Sequence, residues 1–316
     1  MPAYATLFGA ILPVFVVIGA GTLTRVFGFF PAEFEQPFGR LNLTVFYPCM
    51  VLSYTLGNPA LMTPAGLLGA PVIGFGITVF GIIVALAAGM MFKMDPFKRR
   101  TFAFVTGINN YGYLPVPLSV LLFDQETTGV LLVFTVGVEV AMWTAGVMTL
   151  VGELRAAHLR KLVNPPVISL VAAIVLNLTG ASAHVPQSLF TVLKFVGNYA
   201  IPCGLLLIGA VLLDLAKRMD WKGEIQTTFI GLVLRLGILP LVILAVAWFL
   251  PHANTDLRRV LVLEAAMPCA IFPIVITKFY QGDTSLALRL VLATTLPAIF
   301  LIPLWLNFGL HWLGIH

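Results

Sequence analysis

Two apolar segments of this sequence are interrupted by residues that break helices and can hold an anion. One interruption, at 106–118, contains the tandem amides Asn109 and Asn110, and the other, at 264–274, centres on Pro268. N–H groups freed at a broken helix and amide side chains are donors that suit a carboxylate. Unwound backbone in an apolar stretch is tolerated only inside protein or beside a water-filled cavity. The two breaks, at matching positions of the two halves, therefore predict one shared binding site.

Side chains at the breaks and in two other apolar segments are candidates for contact with a bound anion. The candidates are Asn109, Asn110, Tyr111, Gly112, Pro268, Cys269, Ala270, Tyr47, Ser53 and Asn198. Amides at a break also satisfy freed carbonyl groups, and polar residues also pack membrane helices against each other. A purely structural role for each of these side chains therefore stays open.

Three ionisable residues lie deep within apolar runs: Glu139, Arg235 and Glu264. A charge near the centre of a membrane helix costs about 2.5–3.5 kcal/mol on insertion scales, so these residues are functional candidates. One interpretation gives Arg235 a structural ion pair with one glutamate. The other leaves a glutamate free to carry a proton or bind an ion and so couple transport to it. Lys194 lies near the end of a segment, where its ammonium is expected to reach the membrane interface.

The residues that could carry out catalysis argue against an enzyme. The five histidines fall in predicted loops or near the C-terminal end, and no zinc-protease or serine-hydrolase motif occurs. Cys49, Cys203 and Cys269 each follow a proline and are expected to be small buried hydrophobic residues. We predict no catalytic residue, no metal and no cofactor.

Composition places the chain in a membrane. Of its 316 residues, 59% are hydrophobic and 10% are charged, whereas soluble domains carry roughly 25% charged residues. The apolar run behind the N-terminus is long enough to span and lacks a basic leader, so it is expected to remain as the first helix. The net charge of +5 comes from short loops, so it indicates membrane topology and not a nucleic-acid partner.

Ten apolar runs are long enough to cross a bilayer core of about 30 Å. The predicted spans are 5–26, 38–57, 64–92, 101–123, 128–151, 163–181, 187–213, 225–250, 257–281 and 285–312. With the N-terminus outside, the cytoplasmic side holds Arg25, Arg40, Lys93, Lys98, Arg99, Arg100, Arg155, Arg160, Lys161, Lys217, Arg218, Lys222, Lys278 and Arg289. Only Arg258 and Arg259 lie in outer loops. This bias predicts an inner or plasma membrane protein with both termini on the non-cytoplasmic side.

The spans divide into two halves of opposite orientation. We predict a first inverted repeat at 1–151, a cytoplasmic joint at 152–162 and a second repeat at 163–316. Spans four and nine carry the breaks. Spans two and seven both contain a Pro-Cys pair followed by apolar residues, which supports the repeat.

The motif residues resemble the auxin efflux carrier family, which includes plant PIN-type carriers and bacterial malate and malonate permeases. The similar stretches are 110–118, 164–166, 197–206 and 268–280, so the resemblance runs along the whole chain. Pro115 replaces a motif glycine, Asn109 replaces a proline of plant carriers, and Cys269 replaces a residue that is often polar in PIN-type members. The last difference points away from auxin itself.

The resemblance implies an all-α polytopic fold like that of PIN carriers and bile-acid symporters. Spans one, two, six and seven would form a scaffold, and spans three to five and eight to ten a moving transport domain, with spans four and nine crossing at their breaks. It also implies alternating-access transport of a small organic anion, such as an auxin-like acid or a dicarboxylate. A sodium- or proton-coupled symporter, a channel, and a receptor or structural membrane protein are the alternatives. A homodimer stays open.

Overall fold

The computed structural model describes residues 4–63, 65–153, 155–217 and 223–315, and these residues form an all-helical structure without strands. The predicted cytoplasmic residues Arg218 and Lys222 lie outside the described residues, as do the two chain ends. We number the helices in chain order. The helices of the first half are α1 (Tyr4–Val26), α2 (35–55), α3 (Ala65–Met91), α4 (Pro96–Gly107), α5 (Pro115–Leu122) and α6 (Gln125–Val151).

The helices of the second half continue the same numbering. They are α7 (Pro165–Leu178), α8 (Gln187–Lys217), α9 (Ile225–Phe249), α10 (Thr255–Ala265), α11 (Phe272–Phe279) and α12 (Thr284–Leu313). Within α2, α6 and α9 one turn is a π-helix, at Asn42–Phe46, Met142–Gly146 and Leu234–Ile238 respectively. A π turn shifts the phase of the side chains beyond it, and such turns are frequent at functional sites.

Within the described residues, six helices are long and apolar enough to cross a membrane: α1, α3, α6, α8, α9 and α12. The apolar α7 is shorter, and α4 has 12 residues, about 18 Å at 1.5 Å per residue. A polytopic membrane protein is therefore established. The count of ten spans stays a prediction, because it also requires α2 and α7 to cross singly, and α4 with α5 and α10 with α11 to cross as pairs.

Local sequence explains where the helices around the breaks begin. The side chains of Asp95, Asp124, Asn164 and Asp283 each accept a hydrogen bond from a backbone N–H in the first turn of the following helix. Such N-caps satisfy donors that have no partner within the helix. Prolines at the first positions of α4, α5 and α7 fit there because proline lacks the N–H that would otherwise need a partner.

Two pairs of helices pack at very short range through glycine. A Cβ on Gly209 of α8 would lie 1.9 Å from the carbonyl oxygen of Ile18 in α1. A Cβ on Gly137 of α6 would lie 1.9 Å from the carbonyl oxygen of Pro71 in α3. Only glycine allows these backbones to approach so closely, which is a common way for membrane helices to associate.

By their contacts, most helices fall into two groups around the broken segments, and α1 against α12 and α2 against α6 are contacts between these groups. In one group, α2 packs against α7 and α8, and α1 packs against α8. In the other, α3 packs against α4 and α6, α9 against α10, and α12 against α4. The residues of α4 from Thr101 to Gly107 are all buried, as are most of those in α10. The unwound backbone after each of these helices is thus surrounded by protein, as its polar groups require.

Candidate functional site

The two interrupted segments meet backbone to backbone. The N–H of Asn110 donates to the carbonyl of Pro268 over 2.8 Å, and the N–H of Ala270 donates to the carbonyl of Ile108 over 3.0 Å. These bonds form an isolated antiparallel bridge between residues far apart in sequence. Each break therefore satisfies part of the polar backbone that the other exposes.

Several donors at this meeting point remain without a protein acceptor. The backbone N–H groups of Tyr111, Gly112, Tyr113 and Ile271 donate to no other described residue. The Nδ2 atom of Asn110 is buried and likewise has no partner among the described residues, although its Oδ1 accepts from the N–H of Leu114. A buried donor such as Nδ2 of Asn110 is costly without an acceptor, and the residues that carry the four N–H groups are half-buried. This cluster is therefore suited to an acceptor from a ligand or water.

A cavity of about 370 Å³ begins at these donors and extends to the joint between the two halves. Its walls come from both breaks, from the joint and from helices α2, α6, α7 and α11. The walls are mostly apolar and aromatic, and its polar lining residues are Tyr47, Asn110, Tyr111, Tyr113, Thr135, Glu139, Lys161, Asn164 and Tyr280. This volume and lining are typical of a small-molecule site with a few orienting polar groups.

Glu139 faces this cavity from α6. Its Oε2 accepts a hydrogen bond of 3.1 Å from Nδ2 of Asn164. The Oδ1 atom of Asn164 accepts from the N–H of Val167 and caps α7. The cap fixes the orientation of the amide, so the cavity wall holds Glu139 by one donor from the opposite helix group.

Glu264 lies outside the cavity lining. It is fully buried in α10, and its Oε2 accepts from Nδ2 of Asn109 across the bridge between the breaks. The other carboxylate oxygen of Glu264 and the Oδ1 of Asn109 have no partner among the described residues. The adjacent Asn109 and Asn110 thus serve different environments, one facing a buried acid and the other the cavity.

Arg235 forms no ion pair with Glu139 or Glu264 in the described part of the chain, contrary to the expected salt bridge. It lies in the π turn of α9, 1% exposed, and its Nε donates to the carbonyl of Met267 over 3.1 Å. The guanidinium therefore stabilises the unwound backbone just before Pro268. Sequence spacing could not show this, because the carbonyl becomes an available acceptor only once the helix is broken.

The remaining candidates divide by position. Tyr47, Gly112 and Ala270 line the cavity, whereas Pro268 and Cys269 lie behind it. The N–H of Cys269 donates to the hydroxyl of Thr294 in α12, which anchors the second break. Of the cysteines, only Cys269 is fully buried, since Cys49 and Cys203 are half-buried.

Two candidates lie away from the main cavity. Ser53 lines a smaller cavity of about 220 Å³ at the opposite end of the breaks, together with Asp124 and Lys194. Asn198 is exposed at the interruption of α8. No cluster of potential metal ligands is found within the described residues.

A sequence model of the membrane transport protein family matches residues 6–158 and 153–306. The chain belongs to this family, the auxin efflux carrier family. The resemblance read from the motifs is confirmed. An uncharacterized transporter of Methanocaldococcus jannaschii is 21% identical over 302 residues, covering 93% of this chain and 96% of the relative. One from Methanothermobacter thermautotrophicus is 22% identical over 298 residues, with the same coverage.

Within this auxin efflux carrier family member, the cavity includes residues that the sequence did not single out as ligand contacts. They are Tyr113, Lys161, Asn164 and the aromatic residues Trp143, Phe272 and Tyr280. Asn164 carried a signal, since an asparagine before two prolines is a typical helix start. The aromatic residues carried none, because any apolar membrane helix contains such side chains.

Proposed function

We propose that this protein is a secondary transporter that binds a small organic carboxylate where the two broken segments meet. The observation that carries the proposal is the group of donors without protein acceptors at the head of the cavity, which includes N–H groups from both breaks and the Asn110 amide. Backbone donors fixed at helix breaks favour a negatively charged acceptor without needing a buried lysine or arginine.

The cavity supports movement between two helix groups as the transport mechanism. Its walls come from α2 and α7 on one side and from α6 and α11 on the other, so a ligand there contacts both groups. We propose ten spans in two inverted repeats, with α1, α2, α7 and α8 as scaffold. The remaining helices form a transport domain that carries the site across the membrane as an elevator.

The half-buried Glu139 and the fully buried Glu264 suggest different roles in this cycle. Glu139 contacts the cavity, and Glu264 is separated from it by the bridge between the breaks. We propose Glu264 as the candidate for proton coupling, with Arg235 supporting the unwound backbone beside it. Potential-driven uniport and sodium-coupled symport are the competing mechanisms.

Uptake into liposomes tests the proposed function. Purified protein is reconstituted, and radiolabelled aromatic monocarboxylates, short dicarboxylates and amino-substituted acids are supplied outside. We expect saturable uptake of at least one carboxylate that protein-free liposomes do not show. Binding without uptake would favour a receptor, and neither binding nor uptake of any carboxylate would overturn the proposal.

A further inference from the structure

We infer that the transported carboxylate also carries an ammonium group, separated from the carboxylate by an apolar body, and that Glu139 binds this ammonium. The inference rests on the proposed function, since it concerns the same cavity. It assigns a specificity-determining role to Glu139 and names the substrate class as amphoteric acids.

The cavity has two poles of opposite hydrogen-bonding character. At the head, the free N–H groups of Tyr111, Gly112 and Ile271 and the Asn110 amide offer donors without protein acceptors. On α6, Glu139 offers a carboxylate. A ligand that matches both poles has an acceptor at one end and a donor at the other.

The structure leaves Glu139 with capacity for such a donor. The capping bond of Asn164 fixes its Nδ2 on one oxygen of Glu139, and no other bond to this carboxylate is formed within the described residues. An ionised carboxylate has about four acceptor positions on its two oxygens. The unused positions belong to a group that is only partly exposed and lines the cavity.

Lys161 does not act as the cationic partner of Glu139. It lines the cavity at the joint, but it is exposed to solvent and forms no ion pair with Glu139 among the described residues. Water screens an exposed charge more effectively than one between apolar walls. The acidic and the basic side chain of the lining, Glu139 and Lys161, have opposite signs when ionised, so a ligand of zero net charge fits the cavity better than a dianion.

The residues of the cavity walls indicate which chemical body the ligand has between its carboxylate and its ammonium group. Tyr47, Trp143 and Phe272 are aromatic residues of the lining, which suits a ligand with an aromatic or aliphatic body. A dicarboxylate would place its second charge near Glu139, where like charges repel and the apolar walls weaken screening. The cavity should therefore discriminate against dicarboxylates of matching length.

Three size-matched probes test this inference: 4-(aminomethyl)phenylacetate, 4-ethylphenylacetate and 1,4-phenylenediacetate. They differ only in whether an ammonium, a methyl or a carboxylate ends the second arm. Calorimetry on the purified protein measures each dissociation constant at neutral pH. We expect the amine to bind about ten-fold more tightly than the ethyl compound, or about 1.4 kcal/mol, and the diacid to bind most weakly.

Substitution assigns the preference to one residue. Glu139→Gln should reduce the ratio between amine and ethyl compounds to about two-fold or less and should improve binding of the diacid. Glu33→Gln removes the same charge from an exposed position outside the cavity and should leave the order unchanged.

The outcomes separate this inference from the proposed function. Equal binding of amine and ethyl compounds by the native protein, or tightest binding of the diacid, would overturn the inference while keeping a carboxylate site. Retention of the amine preference in Glu139→Gln would also overturn it. Absence of binding for all three probes, with no uptake of any carboxylate, would remove both. The order of affinities of the three probes for the native protein tests the inference even if Glu139→Gln fails to fold.

Discussion

At the scale of single residues, the site depends on buried polar groups whose hydrogen bonding is incomplete. Asn110 lines the cavity and has a buried amide nitrogen without a partner, and Glu264 keeps one oxygen without a partner in the described structure. A buried group of this kind lowers stability unless something else satisfies it. Asn110 can be satisfied by a ligand, because it lines the cavity, whereas Glu264 can be satisfied there only by a proton, an ion or water.

Asn110→Ala removes one donor from the cavity while keeping the backbone N–H that bonds to Pro268. We expect affinity for the best-binding carboxylate to fall about 10- to 100-fold, because a hydrogen bond to a charged group contributes roughly 1.5–3 kcal/mol. Calorimetry measures the change. Ser53→Ala, outside the main cavity, serves as the control. Native affinity in the Asn110 variant would mean that this amide serves the backbone alone.

Glu264→Gln keeps an acceptor for Asn109 but is permanently neutral. If Glu264 carries the driving proton, the variant should still exchange substrate across liposomes but lose accumulation under an inward proton gradient. Glu126→Gln, at the start of α6, is a control for loss of an acid elsewhere in the proposed transport domain. Normal accumulation by the Glu264 variant would leave potential-driven uniport as the better account.

At the scale of elements, a polar corner ties the first half of the chain to the second. Asp124 caps α6 and accepts from Nη1 of Arg259 in α10 over 2.7 Å. The hydroxyl of Thr127 donates to Asp256 over 2.9 Å. Nearby, the amide of Gln125 donates to the carbonyl of Ser53 in α2. Of these bonds, the one from Gln125 to Ser53 joins the two helix groups, so motion between the groups must break it.

Asp124→Asn tests the charge in this corner while retaining a good cap. Burial alone would raise the pKa of Asp124, but hydrogen bonds from Thr127 and the guanidinium of Arg259 outweigh it and hold the pKa below its usual value. A lowered folded pKa gives stability that is present above the unfolded pKa and is lost as pH falls through the folded one. Because the pair of Asp124 and Arg259 is partly exposed to water, we expect it to stabilise the protein by only about 0.5–1 kcal/mol.

In detergent at neutral pH, the native protein should therefore have a higher melting temperature than Asp124→Asn. The difference in melting temperature should disappear as the pH is lowered. Glu153→Gln, whose acid pairs with Arg155 on an exposed loop, should show little difference at any pH. A gap between native protein and Asp124→Asn that is independent of pH would show that the carboxylate charge does not contribute.

At the scale of the whole molecule, the two arginines predicted on the outer side, Arg258 and Arg259, bond to other parts of the protein. Arg258 is buried and donates to the carbonyls of Ala247 and Leu313, which ties α10 to α9 and α12. Arg259 pairs with Asp124. Neither offers a free surface charge, so the predicted outer face is even poorer in exposed basic residues than the sequence indicates. The proposed orientation follows from this asymmetry.

Cysteine labelling tests the orientation in a protein whose three native cysteines are replaced. Ala183 and Ala253 lie in exposed connections between helices. The cysteines introduced by Ala183→Cys and Ala253→Cys should react with an impermeant maleimide added outside intact cells. Ala157→Cys, exposed in the joint, should react only after the membrane is made permeable. External labelling at 157 would invert or refute the proposed topology.

The sequence by itself determined features that depend on local composition. Few charges required a membrane environment, capping residues and prolines set the helix starts, and glycine, proline and tandem asparagine marked both breaks. These features could be read because each follows from neighbouring residues. The same local chemistry also carried the family resemblance, since its motifs lie at the breaks and helix starts.

Only the tertiary structure decided which polar residues share the cavity. Tyr47 lines it and Ser53, in the same helix, faces the smaller cavity, because position along and around a helix separates them. Glu139 and Glu264 look alike in sequence, yet one faces the cavity and the other lies behind the bridge. Arg235 bonds to a carbonyl freed by a distant break instead of to an acid. These outcomes depend on contacts between remote segments and on π turns that rotate side chains, which local sequence does not encode.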